Sequence, residues 1–141
     1  MDSNLIMTIM SLPNLNKILC IEDEPDIRAI TKLALEMVGG ITAVTCESGR
    51  EALRQIAAIA PDLILLDVMM PGMDGPTTFN ALRELPDARD IPIVFMTAKV
   101  QSSEVELYTN MGAIGVISKP FNPMELAATV KDLWAKHHVR S

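Results

Sequence analysis

Residues 61–75 read PDLILLDVMMPGMDG. The apolar run at residues 63–66 follows a proline and an aspartate and ends at Asp67. A short apolar run bounded by polar and turn residues is typical of a strand that is buried on both faces. The pairs Pro71-Gly72 and Asp74-Gly75 predict turns soon after it. This stretch therefore predicts an interior strand whose end presents a carboxylate in a loop.

Four similar apolar runs lie on either side of this strand, at residues 18–21, 41–45, 91–96 and 113–117. Amphipathic helical patterns separate them; these begin near Pro25, at Ser48, at Thr77, at Ser102 or Ser103, and at Asn122 or Pro123. Five strands that alternate with five helices predict an α/β fold with a parallel sheet covered on both faces. Because the crossovers are right-handed, the carboxyl ends of all five strands meet at one edge.

Length and charge limit the classes of function. With 141 residues the chain has the size of one domain, and its net charge of −6 disfavours direct nucleic-acid binding. No apolar stretch reaches 18 residues, so we expect no membrane span. Cys20 and Cys46 lie in or beside apolar strands, which favours buried, reduced thiols and a cytoplasmic location.

Chemically distinctive residues stand where the strands end. Glu22 and Asp23 follow the first strand, Asp67 the third, Thr97 the fourth and Lys119 the fifth. Neighbouring strands lie roughly 5 Å apart, so three carboxylates at this edge need a bound cation, raised pKa values, or both. Oxygen ligands without nearby His or Cys favour Mg²⁺, with Mn²⁺ as a second candidate.

The same residues suit phosphoryl transfer. A carboxylate can act as a nucleophile and form an acyl phosphate, and the Lys119 ammonium and the Thr97 hydroxyl can bind phosphoryl oxygens. Such transfer needs mainly positioning and charge neutralisation. The strand ends therefore predict a phosphoryl-acceptor site.

Four segments, residues 17–25, 61–75, 92–98 and 112–121, resemble the response-regulator receiver domains of two-component signalling. The resemblance covers residues 17–138, which leaves 1–16 as an N-terminal extension, expected to be flexible, and 139–141 as a tail. It implies a flavodoxin-like (βα)5 fold with the strand order 2-1-3-4-5.

The resemblance also implies a role for each site residue. Asp67 corresponds to the phosphoacceptor, Thr97 to the switch hydroxyl, and Lys119, in a cis peptide bond to Pro120, to the family's lysine. The implied Mg²⁺ ligands are Glu22, Asp23, Asp67 and the backbone carbonyl of Met69. The implied donor is a histidine kinase or a histidine phosphotransfer protein, and the chain is then a signalling phosphoacceptor that catalyses only its own phosphorylation and dephosphorylation.

Two positions depart from the family pattern. Glu22 stands where an aspartate is common, and Val116 stands where a switch tyrosine or phenylalanine is usual. Glutamate keeps the charge, so we expect Mg²⁺ binding to persist. Valine cannot rotate as an aromatic ring does, which puts in question the coupling between the site and the outer surface.

Several functions are compatible with these residues. The short tail after the last helix favours a stand-alone regulator that signals through its fourth helix, fifth strand and fifth helix. The alternatives are a phosphorelay shuttle or phosphate sink, and a receiver that binds constitutively without phosphorylation. An aspartyl-phosphate phosphatase is disfavoured by Met69, which stands where a second acid is expected. A flavin carrier is disfavoured by the acidic loop after the first strand.

Overall fold

The computed structural model of the protein describes residues 3–10 and 12–140. A parallel five-stranded sheet with the order β2-β1-β3-β4-β5 forms its centre, which confirms the predicted α/β class and topology. The strands are β1 (Lys17–Ile21), β2 (Thr42–Cys46), β3 (Leu63–Asp67), β4 (Ile93–Thr97) and β5 (Gly115–Ser118).

Six α-helices are described. They are α1 (Ser3–Met10), α2 (Pro25–Leu33), α3 (Gly49–Ile59), α4 (Gly75–Glu84), α5 (Ser102–Met111) and α6 (Leu126–Arg140), and α2 continues into a π-helical stretch, Ala34–Val38. Helix α1 lies in the segment expected to be a flexible extension. The chain after it contacts the domain, because the indole Nε1 of Trp134 donates to the carbonyl of Pro13 at 2.9 Å. None of the described helices combines the length and apolar composition that a bilayer crossing requires.

The sheet separates two apolar cores. Every residue of β3 and β4 is buried, as continuous apolar runs predict. On one face Ile64 and Leu66 pack with residues of α3, α4 and α5. On the other, Leu63 and Leu65 pack with residues of the π-helical stretch and α6. Cys20 and Cys46 are buried free thiols, as predicted, and burial raises the pKa of Cys20 to about 12.

Side-chain caps begin α3 and α4. Ser48 Oγ accepts a hydrogen bond from the Glu51 N–H at 3.1 Å, which confirms the predicted cap. The Glu51 carboxylate accepts a hydrogen bond from the Glu47 N–H. Asp74 Oδ1 accepts from Thr77 N–H at 2.9 Å, so α4 begins at Gly75, two residues before the predicted start.

The predicted starts of the last two helices are wrong in detail. Helix α5 has Gln101 as its N-cap without a side-chain cap, whereas Ser102 or Ser103 was expected to cap it. Helix α6 begins at Leu126 and not at Asn122 or Pro123. The Asn122 carboxamide oxygen instead accepts from Met124 N–H, which stabilises a turn before the helix.

Candidate functional site

The strand register brings the predicted residues to one edge of the sheet. Ile21 lies beside Leu66, and Asp67 lies beside Met96 in the parallel ladders. Thr97 and Ser118 are paired in the same way. Because Glu22 and Lys119 directly follow β1 and β5, their side chains and those of Asp67 and Thr97 start from the same carboxyl edge.

Lys119 joins two of the predicted carboxylates. Its Nζ lies 2.7 Å from Glu22 Oε1 and 3.1 Å from Asp67 Oδ1. Both acids are almost completely buried. Charge-assisted hydrogen bonds of this length are strong, so the lysine offsets much of the repulsion between the two acids. The peptide bond between Lys119 and Pro120 is cis, as the resemblance implied.

Two carboxylate oxygens at the site are buried without a hydrogen-bond partner in the part of the chain that the structure describes. They are Asp23 Oδ1 and Asp67 Oδ2. One oxygen each from Glu22, Asp23 and Asp67 lie within 4.8 Å of one another. Unpartnered buried carboxylate oxygens are costly unless a cation or a proton compensates them. The donor set, oxygen alone, fits a hard cation such as Mg²⁺.

Burial and charge oppose each other in the titration of this site. Burial, assisted by the Asp67 carboxylate, raises the pKa of Glu22 to about 7, although the ammonium of Lys119 acts in the opposite direction. Partial burial alone lowers the pKa of Lys119, but its hydrogen bonds to Glu22 and Asp67 outweigh burial and raise that pKa. The lysine therefore stays charged beside the two acids.

Thr97 and Met69 occupy different surroundings. Thr97 is buried at the end of β4, and its hydroxyl oxygen accepts from Lys99 N–H at 3.1 Å. Met69 follows Asp67 by two residues and is 74% exposed. The switch role of the Thr97 hydroxyl and the metal-ligand role of the Met69 carbonyl stay predictions.

The backbone of Asp67 is held by a close contact that depends on glycine. The Gly75 N–H donates to Val68 O at 2.9 Å. A Cβ atom at residue 75 would lie against the Asp67 carbonyl oxygen and 2.7 Å from Val68 Cα. Helix α4 can thus begin directly against the end of β3 because residue 75 has no side chain.

Arg28 contacts the site and is absent from the residues predicted by sequence. Its guanidinium reaches the carbonyls of Glu22 and Asp23 and lies 3.8 Å from Glu47 Oε2. Arg28 follows Glu24 by one helical turn in a helix that begins at Pro25, which brings it back to the side of the acidic loop. This spacing is the sequence signal that could have identified it. Glu47, which follows β2 and suggested no chemistry, contacts the site through this arginine.

Val116 lies in β5 and is partly buried against the core that contains Phe95 and Tyr108. Those two rings pack with their centroids 4.7 Å apart, and Phe95 also stacks on Phe79 at 5.5 Å. The aromatic side chains near β5 are therefore core residues. The expected consequence of valine for signalling stays a prediction.

Comparison with known proteins gives one consistent family. The family model described as response regulator receiver domain matches residues 18–131. The probable transcriptional regulator ycf27 of Cyanophora paradoxa is 38% identical over 120 residues, which are 85% of this chain and 48% of that protein. The DNA-binding response regulator MtrA of Mycolicibacterium smegmatis is 37% identical over 115 residues, 82% of this chain and 49% of that protein. The chain spans about half the length of these curated relatives.

Solved structures agree with the sequence comparison. The chemotaxis protein CheY4 of Vibrio cholerae matches with a TM-score of 0.78 and 30% identity, over 85% of this chain and 99% of that chain. The signal receiver domain of a signal transduction histidine kinase from Syntrophus aciditrophicus matches with a TM-score of 0.73 and 36% identity, over 86% of this chain and 91% of that chain. Similarity in fold therefore extends over about 85% of this chain.

Proposed function

The chain belongs to the response regulator receiver family, and from this premise we propose that Asp67 accepts a phosphoryl group from a phosphohistidine donor. Receiver domains use Mg²⁺ at an acidic pocket, and Glu22, Asp23 and Asp67 form such a cluster here. The donor would be a histidine kinase or a histidine phosphotransfer protein. The net charge of −6 disfavours a direct role of this domain in DNA binding.

The observation that carries the proposal is the state of the Asp67 carboxylate. Its Oδ1 is held by Lys119 at 3.1 Å, whereas its buried Oδ2 has no hydrogen-bond partner among the described residues. In the transfer, an Asp67 oxygen forms a bond to phosphorus while the bond from phosphorus to the donor's imidazole nitrogen breaks. The electron pair of that bond remains on the imidazole, so the aspartate becomes an acyl phosphate.

The other residues position and neutralise charge. Lys119 already contacts the acceptor carboxylate and can turn toward a phosphoryl oxygen, and the Thr97 hydroxyl can donate to another. Glu22, Asp23 and Asp67, with the Met69 carbonyl, would hold Mg²⁺, whose charge offsets that of the phosphoryl oxygens. The contact that already joins Lys119 to Asp67 supports a transfer that needs little reorganisation of these two groups.

We further propose that the phosphorylated domain signals through the surface of α5, β5 and α6. Val116 lies in β5 within this surface. Because valine has no ring to rotate inward, Val116→Tyr is expected to change the affinity for a signalling partner and to leave Mg²⁺ affinity unchanged. An equal change in both affinities would contradict the role assigned to this surface.

The first experiment measures the phosphoryl adduct directly. The protein is incubated with Mg²⁺ and acetyl phosphate, and its intact mass is recorded. We expect a gain of one phosphoryl group that disappears in Asp67→Asn and on chelation of Mg²⁺. Asp87→Asn is the matched control, because Asp87 is an exposed aspartate outside the site, and it should gain the group as the wild type does.

Three other results would redirect the proposal. Absence of an adduct, together with no response to beryllofluoride, would contradict it and favour a receiver that binds constitutively. Stoichiometric transfer of the group from Asp67 to a second histidine protein would identify a phosphorelay shuttle. Rapid loss of the group to water without a partner response would indicate a phosphate sink.

A further inference from the structure

Arg28 lies at the junction between the acidic loop and helix α2. Its side chain is 19% exposed, and its Nη1 donates to the carbonyl of Glu22 at 2.9 Å and to that of Asp23 at 3.2 Å. Its backbone N–H donates to Glu24 O at 2.9 Å, within the first turn of the helix. One nitrogen of the guanidinium thus holds two successive carbonyl groups of the loop.

These two carbonyls belong to the peptide groups on either side of the Asp23 Cα atom. Fixing both peptide groups fixes the direction of the Cα–Cβ bond of Asp23, because the backbone has only two soft dihedrals at each residue. The carboxylate itself is held less firmly, since Asp23 Oδ1 has no hydrogen-bond partner in the described part of the chain. The position of this oxygen therefore depends on the backbone that Arg28 holds.

We propose that Arg28 is a positioning residue of the cation site, which holds the Glu22-Asp23 loop so that the Asp23 carboxylate faces Asp67. This inference rests on the proposed function, because it concerns the same Mg²⁺ site. Arg28 touches neither the cation nor the phosphoryl group in this role. It acts on the site through the loop backbone.

The sign of the effect separates positioning from simple electrostatics. If Arg28 acted only as a positive charge near the acids, its removal would strengthen Mg²⁺ binding, because a repulsive charge would be lost. If Arg28 positions the loop, its removal weakens Mg²⁺ binding, because the carboxylates must be ordered when the cation binds. Residues that orient metal ligands typically contribute about 10- to 100-fold to metal affinity.

The test measures the dissociation constant of Mg²⁺ alone by calorimetry for the wild type and Arg28→Gln. Arg83→Gln is the matched control, because Arg83 Nη1 also donates to two carbonyls, those of Ala88 at 3.2 Å and Ile91 at 2.8 Å. These carbonyls precede β4, at the opposite edge of the sheet. We expect Arg28→Gln to weaken Mg²⁺ binding about tenfold and Arg83→Gln to leave it unchanged, even if thermal stability falls in both.

A Mg²⁺ affinity in Arg28→Gln that equals or exceeds that of the wild type overturns the inference. If Arg28→Gln does not fold, Arg28→Lys replaces it, since lysine keeps the charge but lacks the planar fork of donors. We expect its Mg²⁺ affinity to be several-fold weaker than that of the wild type, and an unchanged value overturns the inference. If the wild type itself binds no Mg²⁺, the proposed function fails. If the wild type binds Mg²⁺ and the Arg28 variant binds it equally well, only the inference about Arg28 fails.

Discussion

At the scale of single residues, the acidic edge contains more negative charge than Lys119 compensates. The lysine contacts Glu22 and Asp67, whereas Asp23 makes no ion pair within the part of the chain that the structure describes. Convergent like charges destabilise a folded protein, and a bound cation reverses this effect. Functional sites commonly retain such a cost because the ligand needs the same charges. The metal-free protein is therefore expected to be less stable than a variant with fewer acids.

The first prediction concerns Asp23→Asn, which removes one charge and keeps the shape of the side chain. With EDTA present, we expect the free energy of unfolding to rise by about 1 kcal/mol, because one repulsive partner of Glu22 and Asp67 is lost. With Mg²⁺ present, the wild type should gain stability and Asp23→Asn should not. Urea unfolding under both conditions measures these differences.

Asp87→Asn is the control for the loss of a carboxylate as such, since Asp87 is exposed and outside the site. It should respond to Mg²⁺ as the wild type does. If Mg²⁺ stabilised Asp23→Asn and the wild type to the same extent, Asp23 would not be part of the cation site.

At the scale of elements, the short connections from strand to helix determine how well the site is held. The acidic loop between β1 and α2 contains three residues and is held by Arg28. The connection from β3 to α4 is longer, but Gly75 lies in close contact with the backbone of Asp67 and Val68. Asp74 caps this helix through Thr77 N–H. Both connections therefore link a helix start to the backbone of a site residue.

The second prediction is that Gly75→Ala destabilises the protein although alanine favours helices. Intrinsic propensity would add less than about 1 kcal/mol of stability at this first helical position, but the new Cβ would overlap the Asp67 carbonyl oxygen. We expect a net loss of about 2 kcal/mol in the free energy of unfolding, because the overlapped atoms belong to the backbone and cannot turn away as a flexible side chain can. Thermal and urea unfolding measure the loss, and the rate of Asp67 phosphorylation should fall with it.

Asn80→Ala provides the comparison within the same helix. Asn80 is exposed on α4, so its replacement changes helix propensity without a backbone contact. It should leave stability unchanged or slightly raised, with a normal rate of phosphorylation. If Gly75→Ala behaved in the same way, the close contact would not constrain the site.

At the scale of the whole molecule, the sheet ends at β2, where backbone groups face away from β1. Two side chains from α2 and its π-helical extension cover part of this edge. Ala43 N–H donates to Glu36 Oε2 at 3.1 Å, and the Lys32 ammonium donates to the Ala43 carbonyl. Lys32 and Glu36 also form an ion pair of 3.3 Å. Unpaired groups on an edge strand can pair with another chain, so this cover opposes edge-to-edge association.

The third prediction is that the double variant Lys32→Ala/Glu36→Ala associates more readily through β2. Removal of both side chains exposes the donor and the acceptor of Ala43 to a second copy of the chain. Sedimentation over a range of protein concentrations should show a concentration-dependent shift toward dimers and larger species. The variant Asp132→Ala/Lys136→Ala removes a comparable exposed pair, 3.0 Å apart on α6, and should sediment as the wild type does. Equal behaviour of the two double variants would contradict the protective role.

Much of the fold was predictable because its signals are local. Apolar runs such as residues 63–66 identify buried strands, and their alternation with helical patterns requires a parallel sheet. Helix starts were less predictable where the backbone or a turn determined them. Asn122 illustrates this, because its side chain stabilises a turn and the helix begins only at Leu126. Local propensity cannot decide between a turn and a first helical turn there.

The sequence by itself determined which residues reach the acidic edge, because every strand of a parallel sheet ends on the same side. Only the tertiary structure decided how they interact there. Lys119 lies closer to Glu22 than to Asp67, Asp23 and Asp67 keep unpartnered oxygens, and Arg28 holds the loop. The physical reason is that these contacts join residues far apart in the chain, or a side chain to a carbonyl. Distances and burial of this kind arise only when the packed elements are in place.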